Sequence, residues 1–239
     1  MAMLKKLIGE AKVISVLTGA GISTESGIPD FRSTRGLWTE DVSRMDVISK
    51  SYFEAEPEQF WKYFKDIFQT KLSDQYEPNS GHYFLKELED EKKDVRVFTQ
   101  NVDGLHDKAG SSKVYELHGT IRYATCPECS RRHGLDYINV NELPQCISCQ
   151  TILKPDVVLF GDMVKHINEL YNSVNESDLL LVIGTSLEVF PVSQVPRDFS
   201  RKPGLTKVLI NKDPTIMDPF FDLVLPIKAG EAAEALRNS

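Results

Sequence analysis

The fold of this chain is constrained most by a series of short aliphatic and β-branched runs. They are Val13–Thr18, Val95–Thr99, Val114–Leu117, Val157–Phe160, Leu179–Ile183, Val208–Asn211 and Leu223–Pro226. Several, Leu179–Ile183 most plainly, are apolar at consecutive positions instead of alternate ones. Strands covered on both faces of a parallel sheet read this way. Helical spacing appears between the runs. Pro57–Leu72 sets Phe60, Phe64, Ile67 and Phe68 on one face, and Asn79 or Ser80 can cap a helix bearing Tyr83, Phe84 and Leu88. Met163–Val174 and Glu231–Arg237 also read as helices. Strands alternating with helices predict an α/β chain built on a doubly wound parallel sheet.

Two segments break the alternation: 33–75 is largely helical, and 120–153 is polar and carries cysteines. Both are expected to form a smaller lobe, leaving 1–32, 76–119 and 154–239 for the large one. The 239 residues suit one domain with a small companion, and 41% apolar with 26% charged residues suits a globular chain. The charge sum of 28 minus 35 gives −7, which disfavours non-specific nucleic-acid binding. No apolar run approaches the ~18 residues of a membrane span. MAMLKKLIGEAK lacks the apolar core and small-residue cleavage site of a signal peptide, so a cytoplasmic protein is expected.

Polar residues gather where strands end. The first strand runs into Thr18-Gly19-Ala20-Gly21-Ile22-Ser23, with Thr24 and then Gly27 further on. Glycines at such an exit let backbone N–H groups approach a pyrophosphate, or simply make a tight turn. The dehydrogenase spacing G-x-G-x-x-G is not met, because Thr24 holds the third glycine position. Ser26–Arg32 then presents Asp30, Phe31 and Arg32 on a loop. The second strand ends in Thr99-Gln100-Asn101-Val102-Asp103-Gly104-Leu105-His106. Burying so many polar groups is costly unless they meet a ligand or one another. His118 closes the next strand, where it is either a structural residue or a base. Gly184-Thr185-Ser186 follows Leu179–Ile183 and suits phosphate contacts or a helix cap. Asn211 ends another strand as a ribose contact or a turn residue, and Phe160-Gly161-Asp162 ends a third.

All four cysteines lie in Cys126-x2-Cys129 and Cys146-x2-Cys149, with sixteen residues between the pairs. That spacing predicts a tetrahedral structural zinc site, and four thiolates leave no open position for catalysis. Redox pairs and a nucleic-acid-binding ribbon are the alternatives. Arg131 and Arg132 stand against Glu128, Asp136 and Glu142, which makes no basic platform.

Taken in order, GAGIS at 19–23, GIPDFR at 27–32, TQNVDGLH at 99–106, LHG at 117–119, the paired CxxC, PDVVLFGD at 155–162, GTSLEVFPV at 184–192 and Asn211 resemble the sirtuins, NAD-dependent protein lysine deacylases. The resemblance runs from Gly19 to the KAGE stretch at 228–231. It implies a Rossmann-like lobe, NAD as a consumed co-substrate, one structural zinc and acyl-lysine proteins as partners. It implies cofactor contacts from Gly19, Ala20, Gly21, Thr24, Phe31 and Arg32, with Phe31 on the nicotinamide side. Gln100, Asn101, Val102 and Asp103 match the nicotinamide ribose and carboxamide pocket, and Gly184, Thr185, Ser186, Asn211 and Ala229 the phosphate and adenosine contacts. His118 matches the general base, with Asn101 beside it in the catalytic set. Val158, Phe160, Gly161 and Val189 match the cleft where a peptide lies as an added strand. Asp162 departs from the family's usual Glu.

In sirtuin-like chemistry the acyl oxygen attacks the ribose carbon that bears nicotinamide. The acyl group then passes to a ribose hydroxyl deprotonated with the help of His118, giving 2′-O-acyl-ADP-ribose. ADP-ribosyl transfer to another acceptor, or a non-catalytic NAD- and zinc-binding module, would use the same residues. Members that remove acidic acyl groups read the distal carboxylate with Tyr-x-x-Arg on a helix. Here the two registers give Tyr63 with Asp66, or Phe64 with Ile67, and neither supplies a cation.

Overall fold

The computed structural model describes residues 1–30, 46–68 and 75–238. Six strands form one parallel sheet in the order β3-β2-β1-β7-β8-β9. These are β1 (Val13–Thr18), β2 (Asp94–Thr99), β3 (Val114–Glu116), β7 (Leu179–Ile183), β8 (Thr206–Ile210) and β9 (Leu223–Leu225). From β1 the chain builds outward through β2 and β3, then returns to the other side of β1 with β7. The strand order therefore reverses between β1 and β7, where Val16 pairs with Leu181.

Period-two geometry explains the uninterrupted apolar runs. Leu179, Leu181 and Ile183 face a core shared with Ile14, Val16, Val95 and Val97. The helices Ala2–Glu10, Ser80–Asp90 and Ala229–Arg237 cover it with Leu4, Leu85 and Ala233. Leu180 and Val182 face the opposite core, with Leu17, Phe98 and Leu209, under Leu170 and Val174 of the helix Ile167–Glu176.

A second sheet of three strands, ordered β5-β4-β6, contains β4 (Gly119–Thr125), β5 (Arg132–Gly134) and β6 (Lys154–Val157). Both its pairings are antiparallel. The expected strand Val157–Phe160 differs here. The ladder covers Lys154–Val157 and joins the small sheet, while Phe160 makes only a bridge to Ser49. The observed strand, Lys-Pro-Asp-Val, is mostly polar and alternates in burial, whereas the apolar run Val157–Phe160 contributes only its first residue to the ladder. The helix Pro57–Phe68 packs Phe60, Trp61, Phe64, Ile67 and Phe68 into this sheet's core with Ile121, Ile138 and Leu153. Trp61 Nε1–H donates to the Leu153 carbonyl at 2.8 Å, which lets an indole be fully buried. The expected continuation to Leu72 lies outside the described residues.

The two loops at the sheet's reversal pass in backbone contact. Gly21 N–H donates to Gly184 O at 2.7 Å, and Gly19 N–H to Ile183 O at 3.1 Å. Gly184 has φ +63°, and a Cβ there would stand 2.6 Å from the Gly21 carbonyl carbon. Gly184→Ala is therefore expected to cost about 2 kcal/mol or more, from the left-handed backbone and the collision together. Gly204→Ala, at φ +77° with nothing within 4 Å, carries only the backbone cost. Thermal denaturation of the two variants measures the difference. Equal losses would mean that the close approach contributes nothing.

Candidate functional site

The carboxyl ends of β1, β2, β3 and β7 carry a connected set of polar groups. Thr18 and Gly19 follow from β1, Gln100 to Asp103 from β2, His118 from β3, and Gly184 to Ser186 from β7. The Asn101 side chain is buried. Its Nδ2 donates to Gly19 O at 3.1 Å and to Ser23 Oγ at 3.0 Å. Ser23 Oγ–H donates onward to Asp103 Oδ2 at 2.8 Å, and Leu105 N–H donates to Asp103 Oδ1 at 3.0 Å. Gln100 Nε2 donates to Thr185 Oγ1 at 3.2 Å, which joins β2 to β7 across β1. Such a network is affordable when each member satisfies the next.

His118 Nδ1 lies 3.1 Å from Gln100 O. A carbonyl only accepts, so Nδ1 carries the proton and Nε2 carries the lone pair. Burial pushes the imidazole below its usual 6.5, while the bond to Gln100 works the other way. The net shift is downward, so His118 is neutral at pH 7. Its backbone carbonyl accepts from Val158 N–H at 2.8 Å, which places this histidine beside 158–161.

The glycine loop forms a 3₁₀ helix, Ala20–Ser26, held from three directions. Thr24 Oγ1 donates to Gly21 O at 2.9 Å. Asn79, the cap of Ser80–Asp90, donates from Nδ2 to Ile22 O at 2.7 Å and Ser26 Oγ at 2.9 Å. Glu25 Oε2 accepts from Gly230 N–H at 2.7 Å, which brings Ala229 against the same loop. Asn211 is drawn into its own turn, donating to Asp213 O at 2.7 Å. Phe31 and Arg32 lie outside the described residues.

Phe160 is exposed, Val189 is at the edge of exposure and Gly161 has φ +93°. Phe160 exchanges backbone bonds with Ile48 and Lys50, so this segment joins the helical insertion to the sheet ends. Asp162 Oδ2 accepts from Lys154 Nζ at 2.8 Å and Leu159 N–H at 3.2 Å. The shorter carboxylate thus closes its own turn.

Two buried histidines lie beside the site: His106, which closes the polar strand end, and His82, which the sequence pattern leaves without weight. His82 and His106 have ring centroids 4.8 Å apart, and His106 Nε2 lies 2.9 Å from Thr18 Oγ1. Burial pushes His82 down to about 4. Nothing in the spacing of His82 marks it. Ser23 is the other omission as a site residue; its place in the glycine loop was the available signal.

The sulfurs of Cys126, Cys129, Cys146 and Cys149 all lie within 4.8 Å of one another. The closest separations are 3.3 Å for Cys126–Cys149 and 3.5 Å for Cys129–Cys146. A disulfide needs about 2.05 Å. Four sulfurs around zinc at about 2.3 Å stand roughly 3.8 Å apart, so the donor set and spacing fit a closed zinc site.

Comparison with known proteins agrees with this arrangement. Residues 19–191 match the Sir2 family. An NAD-dependent protein deacetylase of Bacillus subtilis is 54% identical over 243 aligned positions, covering 99% of this chain and 98% of the relative. NAD-dependent protein deacetylase 2 of Geobacillus kaustophilus is 49% identical, covering 98% and 96%. A Sir2 structure with p53 peptide and NAD+ superposes with TM-score 0.87 at 31% identity, covering 100% of this chain and 97% of that one. A second Sir2 structure, with deacetylated p53 peptide and 3′-O-acetyl ADP ribose, reaches 0.91 at 31% identity with the same coverage. A match over most of the chain, with close relatives along its whole length, establishes that this protein belongs to the Sir2 family.

Proposed function

We propose that this chain is an NAD-dependent protein lysine deacetylase that releases nicotinamide and passes the acyl group to ADP-ribose. The observation that carries this reading is His118, its Nδ1 held by Gln100 O and its Nε2 left unused by that bond, beside the Asn101–Ser23–Asp103 network. NAD supplies a ribose carbon with nicotinamide as leaving group, together with the hydroxyls that receive the acyl group.

The residues divide that work by position. Gly19, Ala20, Gly21 and Thr24 offer a close backbone surface for the diphosphate, and Thr185 and Ser186 face it from β7. Asn211 and Ala229 take the adenosine end. Gln100, Asn101, Val102 and Asp103 take the nicotinamide ribose and carboxamide, and Asp103 is pre-oriented by Ser23 and Leu105. Phe31 and Arg32 are assigned to the cofactor-binding loop on the resemblance, with Phe31 on the nicotinamide side. His118 Nε2 receives the ribose hydroxyl proton, while Gln100 O keeps the ring turned so that this nitrogen is the base. Val158, Phe160, Gly161 and Val189 border an acyl-lysine peptide taken up as a strand. The cysteine-held zinc supplies structure only, since a four-thiolate site has no open position.

The lobe boundaries given above are part of this reading. So is a cytoplasmic location, which suits four cysteines kept as thiols for metal. No described helix is long and apolar enough to cross a membrane.

The direct test is mass spectrometry of products from NAD and an acetyl-lysine peptide. Nicotinamide, free lysine and acyl-ADP-ribose are expected to form together, and His118→Ala is expected to slow their formation by about 10²–10⁴-fold. Nicotinamide release that ignores the peptide would point to ADP-ribosyl transfer, and near-normal turnover by folded His118→Ala would remove the assigned base.

Acyl choice is the finer question. Tyr63 and Asp66 of the helix Pro57–Phe68 point to solvent, and Phe64 and Ile67 are buried in the apolar core. The Lys65 amine donates to Ile138 O at 2.7 Å and to Asn141 O, so this cation is committed elsewhere. Neither register offers a succinyl carboxylate a cation, and Lys62 is exposed to solvent. An unpaired buried charge costs several kcal/mol, enough to suppress turnover about 100-fold or more. Comparing kcat/KM for acetyl-, butyryl- and succinyl-lysine on one peptide should place succinyl last. A succinyl value equal to the acetyl value would contradict this.

A further inference from the structure

Arg122 lies on β4, beyond the site, and touches both segments that flank it. Its Nη2 donates to Asp107 Oδ2 at 2.6 Å and to Glu116 Oε1 at 3.0 Å, and its Nε donates to Thr120 Oγ1 at 3.1 Å. Glu116 and Thr120 lie two residues before and two after His118, so one guanidinium spans the turn that presents the base. That turn passes from the large sheet to the small one through Gly119, at φ +73°.

The same group lies on the loop that carries Asp103. Gly104 has φ +73°, and a Cβ there would stand 3.1 Å from Arg122 Nε and 3.3 Å from Cζ. The guanidinium thus roofs the residue next to Asp103, and its Asp107 partner lies one turn further on. The strand's backbone follows the same loop, with Ile121 N–H donating to Val102 O at 3.2 Å.

We propose that Arg122 is a positioning residue, which fixes the His118 turn and the Asp103 loop relative to each other. This rests on the deacetylase reading and extends it to a residue outside the ligand contacts. About a third of the Arg122 and Asp107 side chains is exposed, so the ion pair is screened and adds little stability. Its planar fork has the shape to hold several acceptors in fixed directions, which a lysine ammonium does not reproduce. The consequence falls on geometry, where a 1 Å misplacement can cost about 10²-fold in rate.

The test compares Arg122→Met and Arg122→Lys with the unaltered protein on NAD and acetyl-lysine peptide, well below their melting temperatures. Arg122→Met is expected to lower Tm by no more than about 4 °C. It should lower kcat about fivefold or more and raise the nicotinamide concentration for half-inhibition about threefold or more, a fraction of that positional limit. Arg122→Lys should fall between the two. A folded Arg122→Met protein with both kinetic values within about twofold of the original would overturn the proposal, whatever its Tm. Should Arg122→Met not fold, Glu116→Gln weakens the same clamp and is read by the same two values. Unaltered protein that releases no nicotinamide would defeat the functional reading itself. Active unaltered protein with an unaffected variant would defeat only the role of Arg122.

Discussion

The site depends on the backbone contact between the loops that leave β1 and β7. Gly21 and Gly184 meet at 2.7 Å, N–H to carbonyl, with no space for a side chain on Gly184. This contact lies where the strand order reverses, the place at which an open parallel sheet leaves a crevice. Because the two loops are locked there, Thr185 is within reach of Gln100 and Gly19 within reach of Asn101. Gln100, Asn101 and Asp103 are thereby each given a hydrogen-bond partner on a neighbouring loop.

Electrostatics follows from that placement. Among the described residues no carboxylate is bonded to the His118 ring, so burial outweighs the one bond to a backbone carbonyl. A carboxylate partner would have stabilised the imidazolium and raised the pKa. The carbonyl instead fixes the tautomer while leaving the ring uncharged. Asp103 is oriented instead by two neutral donors, Ser23 Oγ–H and Leu105 N–H.

The elements most legible in the sequence were those whose environment is uniform along their length. Leu179–Ile183 reads as a buried strand because both faces meet apolar cores. The four cysteines read as one site because a CxxC turn fixes the local geometry of each pair. Lys154–Val157 was harder, since its Lys-Pro-Asp-Val sequence carries little apolar signal, while the apolar residues after it, up to Phe160, pair through a single bridge only. Trp61 lies three and seven residues before Phe64 and Phe68, on the edge of the same stripe, and its indole N–H is satisfied by the Leu153 carbonyl, a partner 92 residues away. Ser23 was visible within the glycine loop, but its bonds to Asn101 and Asp103 cross 78 and 80 residues. Arg122 reads as one more charge on a polar segment until Gly104, Asp107 and Glu116 are brought around it. The missed features are long-range pairings, which local pattern does not encode.

The proposed chemistry requires that burial and one carbonyl bond keep His118 neutral at working pH. The most direct measurement is kcat/KM for an acetyl-lysine peptide against pH, with His118→Ala as reference. Since the folded pKa lies below 6.5, the active neutral form persists as pH falls through 7 and is lost only beneath that value. The predicted profile is level near pH 7 with an acid limb centred below 6.5, and that limb is absent from the residual activity of His118→Ala. An acid limb centred above 6.5, or the same limb in His118→Ala, would contradict the account.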